Sequence, residues 1–225
     1  MNSKERQPRQ LGWRFFALGI VLAILISALV RTLWVDVYYI PSASMEPLLD
    51  SGDRMLVSRV DFASQGIQRQ DVVVFDGRGS FAPLNSGRGQ LSDAFSSLGQ
   101  WLGVSGSDTV YVKRVIGLPG DHVICCNNAG KITVNSVPLD EPYLYPSDQP
   151  SREKFNVIVP ANRLWLMGDH RSVSADSRSL LGAPGGGMVP ESRVIGRPIS
   201  IIWPLDRLTT LPRTQSADAT TKDGH

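Results

Sequence analysis

Thr109-Val110-Tyr111-Val112-Lys113-Arg114-Val115-Ile116 sets β-branched and aromatic residues around two adjacent cations. Alternation puts Tyr111, Lys113 and Val115 on one face and Val112, Arg114 and Ile116 on the other. Working outward, MLVSRV from Met55, DVVVF from Asp71, KITV from Lys131, FNVIV from Phe155, RLWLM from Arg163 and VIGRPISII from Val194 show the same period or short apolar runs. Val123 and Ile124 read as strand too. Turn signals separate these runs, among them Leu118-Pro119-Gly120-Asp121, Asn127-Asn128-Ala129-Gly130 and Ala183-Pro184-Gly185-Gly186-Gly187. No ten-residue helical pattern alternates with them, so the expected fold is mostly β with an antiparallel sheet.

Two stretches break the pattern. Residues 77–108 form a Gly/Ser-rich insertion, in which Leu91, Phe95, Leu98, Trp101 and Leu102 share one side of a helical wheel. A short amphipathic helix is expected there, packed on the β domain or resting on a bilayer. From Thr209 to residue 225 the chain is polar, and a disordered tail is expected.

Ahead of the strands, Phe15 to Val30 reads FFALGIVLAILISALV without a charge, flanked by Trp13 and Trp34. This core covers about 24 Å, and Leu33 to Val35 extend it. A cleaved secretory signal has a similar outline. The run is at the long limit for one, and Arg31-Thr32-Leu33-Trp34 is not a small-x-small cleavage pattern, so residues 15–35 are read as a transmembrane anchor. Lys4, Arg6, Arg9 and Arg14 precede it and Asp36 follows, which places residues 1–14 in the cytoplasm and the domain of residues 36–208 outside the cell membrane.

Composition narrows the chemistry. Twenty-three basic against 21 acidic residues leave a net charge of +2, which asks for no nucleic-acid partner. Cys125 and Cys126 are the only cysteines, adjacent, with no His at ligand spacing. Neither a metal nor a cofactor is expected, and neighbouring thiols, free or joined to each other, cannot staple distant parts of a fold.

Three segments carry candidate chemistry. Tyr38-Tyr39-Ile40-Pro41-Ser42-Ala43-Ser44-Met45-Glu46-Pro47 reads alone as a turn. Lys113 reads alone as an edge or snorkelling lysine, or as a base. Leu166 to Arg178 packs Asp169, Asp176, Arg171, Arg178, Ser172, Ser174 and Ser177 behind a strand, a hydrogen-bonded loop when read alone. Asp169-His170 with a serine is a rival triad.

In this order the segments resemble the type I signal peptidases of bacteria, serine proteases that remove signal peptides from exported proteins. Pro41-Ser42-Ala43-Ser44-Met45 with Pro47, Lys113 through Asp121, Gly168-Asp169 through Ser174-Ala175-Asp176-Ser177-Arg178, and Val189-Pro190 before Val194-Ile195-Gly196-Arg197 carry the likeness. Departures fall in the third segment, where similar enzymes usually have Asn at the place of His170 and often Asp-Asn where this chain has Ser172-Val173. The resemblance implies an antiparallel β catalytic domain of that type behind one transmembrane helix. It implies Ser44 as nucleophile and Lys113 as general base, Ser174 orienting the amine, Ser42 and the Ser44 amide as oxyanion hole, and Asp176 and Arg178 in support. Signal peptides ending in Ala-x-Ala are the implied partners, bound as an added strand over pockets lined by Ile40, Leu49, Tyr111 and Val112. A lysine acts as base only when neutral, and lowering its pKa from about 10.4 towards the working pH needs roughly 3 to 4 kcal/mol of preference for the neutral amine, within reach of desolvation.

Overall fold

The structure, a computed structural model, describes residues 11–81, 109–183 and 185–213. Helix α1 (Leu11–Leu33) contains an 18-residue window, Gly12–Leu29, of mean hydropathy 2.0, none of it covered by the rest of the chain. It is long and apolar enough to cross a membrane. The helix starts before the expected residue 15 and stops at Leu33, because Val35 already pairs with Ser58 in strand β1 (Val35–Tyr39). That strand was hidden in the sequence by the aromatic flank of the apolar run.

Among the described residues, eight strands form one antiparallel sheet and four a smaller one. The larger runs in the order β1, β2 (Arg54–Ser58), β11 (Val194–Trp203), β3 (Val72–Asp76), β4 (Val110–Gly117), β9 (Arg163–Met167) and β10 (Val189–Pro190), with β12 (Thr209–Thr210) also paired to β11. The smaller joins β7 (Val137–Pro138), β6 (Thr133–Val134), β5 (His122–Cys125) and β8 (Phe155–Ile158) in that order. The mostly β, antiparallel architecture expected from the period-two pattern is therefore present, and all six runs quoted around Lys113 hold strands.

Burial follows strand parity. In β3, Val72 and Val74 enter one apolar cluster with Met45, Leu49, Met55 and Val57, while Val73 and Phe75 enter a second with Val115, Leu164 and Leu166. A strand covered on both faces needs an unbroken apolar run, which DVVVF supplies. Each such side chain contributes on the order of 1.5 to 3 kcal/mol when fully buried. Along β4 the expected parity holds: Tyr111 and Val115 join the second cluster, Val112 the first and Ile116 a third beneath the small sheet with Trp165 and Met167.

Three expectations at the margins change. The domain does not end at residue 208: β12 pairs Thr210 with Ser200, Leu211 is buried, and the Arg213 guanidinium grips both Asp71 oxygens. The insertion begins as packed structure, since Phe81 lies edge-on to Phe75 at 5.1 Å and close to Tyr111. Its expected helix at residues 91–102, and any bilayer contact of that helix, lie outside the described residues, as does the tail beyond residue 213. Cys125 and Cys126 are joined to each other by a disulfide.

Candidate functional site

Strand β4 pairs with β3 along its first half and with β9 only from Arg114 onward, leaving one edge of Val110–Lys113 without a neighbouring strand among the described residues. The loop after β1 comes to this open edge. Its neck is closed by the Ile40 amide donating to Asp53 O at 2.9 Å and the Gly52 amide to Ile40 O at 2.8 Å. Met45 and Leu49, bridged to each other and fully buried, anchor it in the core. Of the residues between them, Glu46 and Leu48 are half-buried and Pro47 is exposed, and Ser44, next to the buried Met45, arrives at the β4 edge.

There the Lys113 amine donates to Ser44 Oγ at 2.6 Å, with only 3% of the lysine and 8% of the serine exposed. Burial pushes the Lys113 pKa down to about 8, against the pull of the Asp176 and Asp169 carboxylates, while the Arg178 guanidinium pushes the same way as burial. The sequence reading put these two residues together, and the structure brings them into contact. Ser42 Oγ stands 3.3 Å from Ser44 Oγ, on the solvent-facing rim.

A groove of about 260 Å³ opens along the β4 edge, lined by Ser42, Ser44 and Lys113 together with Ile40, Tyr111 and Val112. Leu49 is not among its walls. It is 0% exposed and packs in the core behind Met45, so its expected place in a substrate pocket is corrected to support from beneath. Tyr38, Met45 and Met55 line the groove instead, which strand period alone could not show because they come from three separate segments.

The loop after β9 meets the loop of Ser44 from the protein side, where the His170 amide donates to Ser44 O at 3.2 Å. Asp176 Oδ2 accepts the Gly168 amide at 3.1 Å, and both its oxygens accept from the Arg178 guanidinium at 2.8 Å. Arg178 in turn donates to Arg171 O at 2.8 Å, which ties the two ends of this loop together. The Ser174 hydroxyl, by contrast, is buried without a hydrogen-bond partner among the described residues, so the expected bond to the Lys113 amine is not formed in this conformation. It lies against Gly168, where an added Cβ would sit 2.3 Å from Ser174 Oγ and 2.5 Å from Ser44 O. Gly168→Ala is therefore expected to displace the loop carrying Ser44 and lower cleavage at least about 100-fold, as misplacement of a reacting group does. Activity within threefold of wild type on a preprotein would show that the loop tolerates the shift.

The structure also joins residues that the sequence left apart. Arg114, adjacent to Lys113 but on the opposite face, donates to Asp169 Oδ1 at 2.7 Å and Oδ2 at 2.5 Å and lies 4.0 Å over the Tyr143 ring. A cation on a core-facing strand position was the available signal, because such a charge requires a buried carboxylate. This pairing takes Asp169 out of the rival triad. His170 bonds through Nδ1 to Ala43 O at 3.2 Å, and no serine hydroxyl is bonded to it among the described residues. Nor do any three or more His, Cys, Asp or Glu there group as a metal would require.

Comparison with known proteins agrees with this geometry. The family model for signal peptidase, peptidase S26, matches residues 13–203. A probable signal peptidase I of Mycobacterium leprae is 34% identical over 233 residues, covering 90% of this chain and 80% of that one. Signal peptidase I of Mycobacterium tuberculosis is 36% identical over 232 residues, covering 92% and 78%. Signal peptidase IB of Staphylococcus aureus is 27% identical over 203 residues, covering 83% and 87%. A match running from α1 to the end of β11 takes in the loop of Ser44, the strand of Lys113 and the loop after β9 together, and this chain belongs to the signal peptidase family, peptidase S26, as a serine endopeptidase.

Proposed function

We propose that this endopeptidase cuts signal peptides from exported preproteins after Ala-x-Ala, with Ser44 as nucleophile and Lys113 as general base. The observation that carries the reading is the 2.6 Å contact between the Lys113 amine and Ser44 Oγ inside a nearly closed environment. A serine hydroxyl becomes a competent nucleophile when a neighbour removes its proton, and a buried lysine whose neutral form is favoured can do so. The substrate adds as a strand to the open edge of Val110–Lys113 and sets its scissile carbonyl against Ser44 Oγ. As Oγ attacks, its proton passes to Lys113 Nζ, and the oxyanion is held by the Ser44 amide and the Ser42 hydroxyl. Lys113 then returns the proton to the departing amine. In the second half a water attacks the acyl ester, giving its proton to Lys113, and Ser44 leaves as a hydroxyl. Ser174, with no competing partner among the described residues, is offered to the Lys113 ammonium as an acceptor, while Asp176 and Arg178 brace the loop that carries it.

Helix α1 anchors the enzyme in the cell membrane with its basic N-terminus cytoplasmic and the catalytic domain outside. Val35 opens the catalytic domain two residues after the helix ends, and the five residues of β1 carry the chain at most roughly 17 Å before the nucleophile loop. Sharing a bilayer with its substrate raises the effective concentration of the cleavage site. Shallow apolar walls of Ile40, Tyr111 and Val112 favour small side chains by exclusion. Replacing the final Ala of a signal peptide by Phe is expected to abolish cutting at that site, and efficient cutting there would exclude the Ala-x-Ala reading.

The pH dependence has a definite sign. Lys113 is inactive as a base while protonated, so the rate rises with pH and levels off above about 8. A rising limb that vanishes in His170→Asn would assign the base to the imidazole instead.

A further inference from the structure

We propose that His170 is a positioning residue that aims the oxyanion-binding amide of Ser44; this rests on the serine-lysine reading above. Its ring Nδ1 is 3.2 Å from Ala43 O, and its backbone amide donates to Ser44 O at 3.2 Å. A carbonyl oxygen only accepts, so Nδ1 carries the proton in this contact. One residue thereby grips the two peptide units that flank the Ser44 Cα.

The Ala43–Ser44 peptide is trans and planar, so its C=O and N–H point in opposite directions. Holding Ala43 O on the His170 side turns the Ser44 N–H to the other side, and holding Ser44 O fixes the next plane. Among the described residues no other hydrogen bond ties the backbone of residues 41–45 to any segment outside the loop of residues 40–53. Within the loop, Ala43 O also accepts the Glu46 amide at 3.1 Å. The imidazole is itself held: it stacks on Tyr145 at 3.8 Å between ring centres and 8° between planes, and Glu46 Oε2 lies 3.5 Å from Nδ1. The Tyr145 amide donates to Asp169 O at 3.2 Å, which links the stack to the buried Arg114–Asp169 pair. His170 thus sits where the third segment departs from similar enzymes, and its ring N–H supplies the grip.

The test uses the full chain in detergent with one preprotein substrate. His170→Phe keeps a ring to stack on Tyr145 but has no ring N–H. It is expected to lose about 10- to 100-fold in kcat with KM within about threefold, since a misaimed oxyanion donor costs transition-state rather than ground-state binding. Affinity for a peptide aldehyde ending in Ala, whose adduct with Ser44 places an oxyanion in the same hole, should fall in proportion to kcat. His170→Asn carries a carboxamide N–H as many bonds from the backbone as Nδ1 and is expected to recover most of the loss. Wild-type kcat in His170→Phe overturns the proposal, as does an equal loss in His170→Phe and His170→Asn, which would mean that ring packing alone matters. Should His170→Phe fail to fold, His170→Asn decides: near-wild-type kcat and aldehyde affinity uphold the N–H role and a collapse of both overturns it. Failure of the underlying reading looks different, because Lys113→Ala would then retain activity whatever happens at His170.

Discussion

Ser44→Ala and Lys113→Ala are each expected to lower preprotein cleavage by about 10⁴-fold or more with little change in thermal unfolding, and the double change should be no worse than either alone. The reason is geometric. A single hydrogen bond of 2.6 Å links the proposed nucleophile to the proposed base, so on that reading each is useless without the other and their losses do not add. Ser44 is small and Lys113 contributes no ion pair among the described residues, so neither truncation strips the fold of a compensated charge. Removing the lysine in fact removes a buried amine that would cost free energy to protonate. His170→Ala, by contrast, should leave activity well above the dyad variants. The measurement is time-resolved cleavage of one exported preprotein. Persistent cutting by Lys113→Ala, with His170→Ala as inactive as Ser44→Ala, would move the general base to the imidazole.

Asp169→Ala is expected to give the largest loss of stability, about 3 to 5 kcal/mol, because it strands a guanidinium in the interior. Arg114 is 3% exposed and Asp169 fully buried, with two hydrogen bonds between them and a third from Arg114 to Gln70 O at 2.8 Å. For a domain of this size the loss corresponds to a fall in melting temperature of roughly 10 °C or more. Cleavage should fall with it, since Asp169 also sits at the root of the loop carrying His170 and Ser174. Replacing both partners together, Arg114→Met with Asp169→Leu, should recover most of the stability, because no unpaired charge is then left behind. A melting temperature within about 2 °C of wild type in Asp169→Ala would mean that the pair is not the support the geometry makes it.

Much of the site was legible before the structure because its parts are local. Strand parity at 109–116 put Lys113 on one face and Arg114 on the other, and both ended in those places, since a period of two is a property of the backbone itself. The paired segments around Ser44 and Asp176 were recognisable because their residue types recur together in similar enzymes. Leu49 was misplaced for the opposite reason. Its side chain is long and apolar, as a pocket residue or a core residue would be, and only the bridge to Met45 turns it inward. Strand β1 was missed because Val35 to Tyr39 continues the apolar and aromatic character of the helix before it, and only pairing with β2 distinguishes the two.

The sequence by itself determined the strand pattern and the apolar helix, which follow from composition and period along one chain, while the serine and the lysine were singled out by their resemblance to similar enzymes. Tertiary structure alone decided which groups meet across long separations: Arg114 with Asp169, His170 with Ala43 and Ser44, Arg213 with Asp71. These contacts depend on how loops from different strands cross at the open edge of β4, and no periodicity within a segment encodes that crossing. The chemistry of the lysine belongs to the same class, for its pKa near 8 comes from the burial that neighbouring segments impose on it.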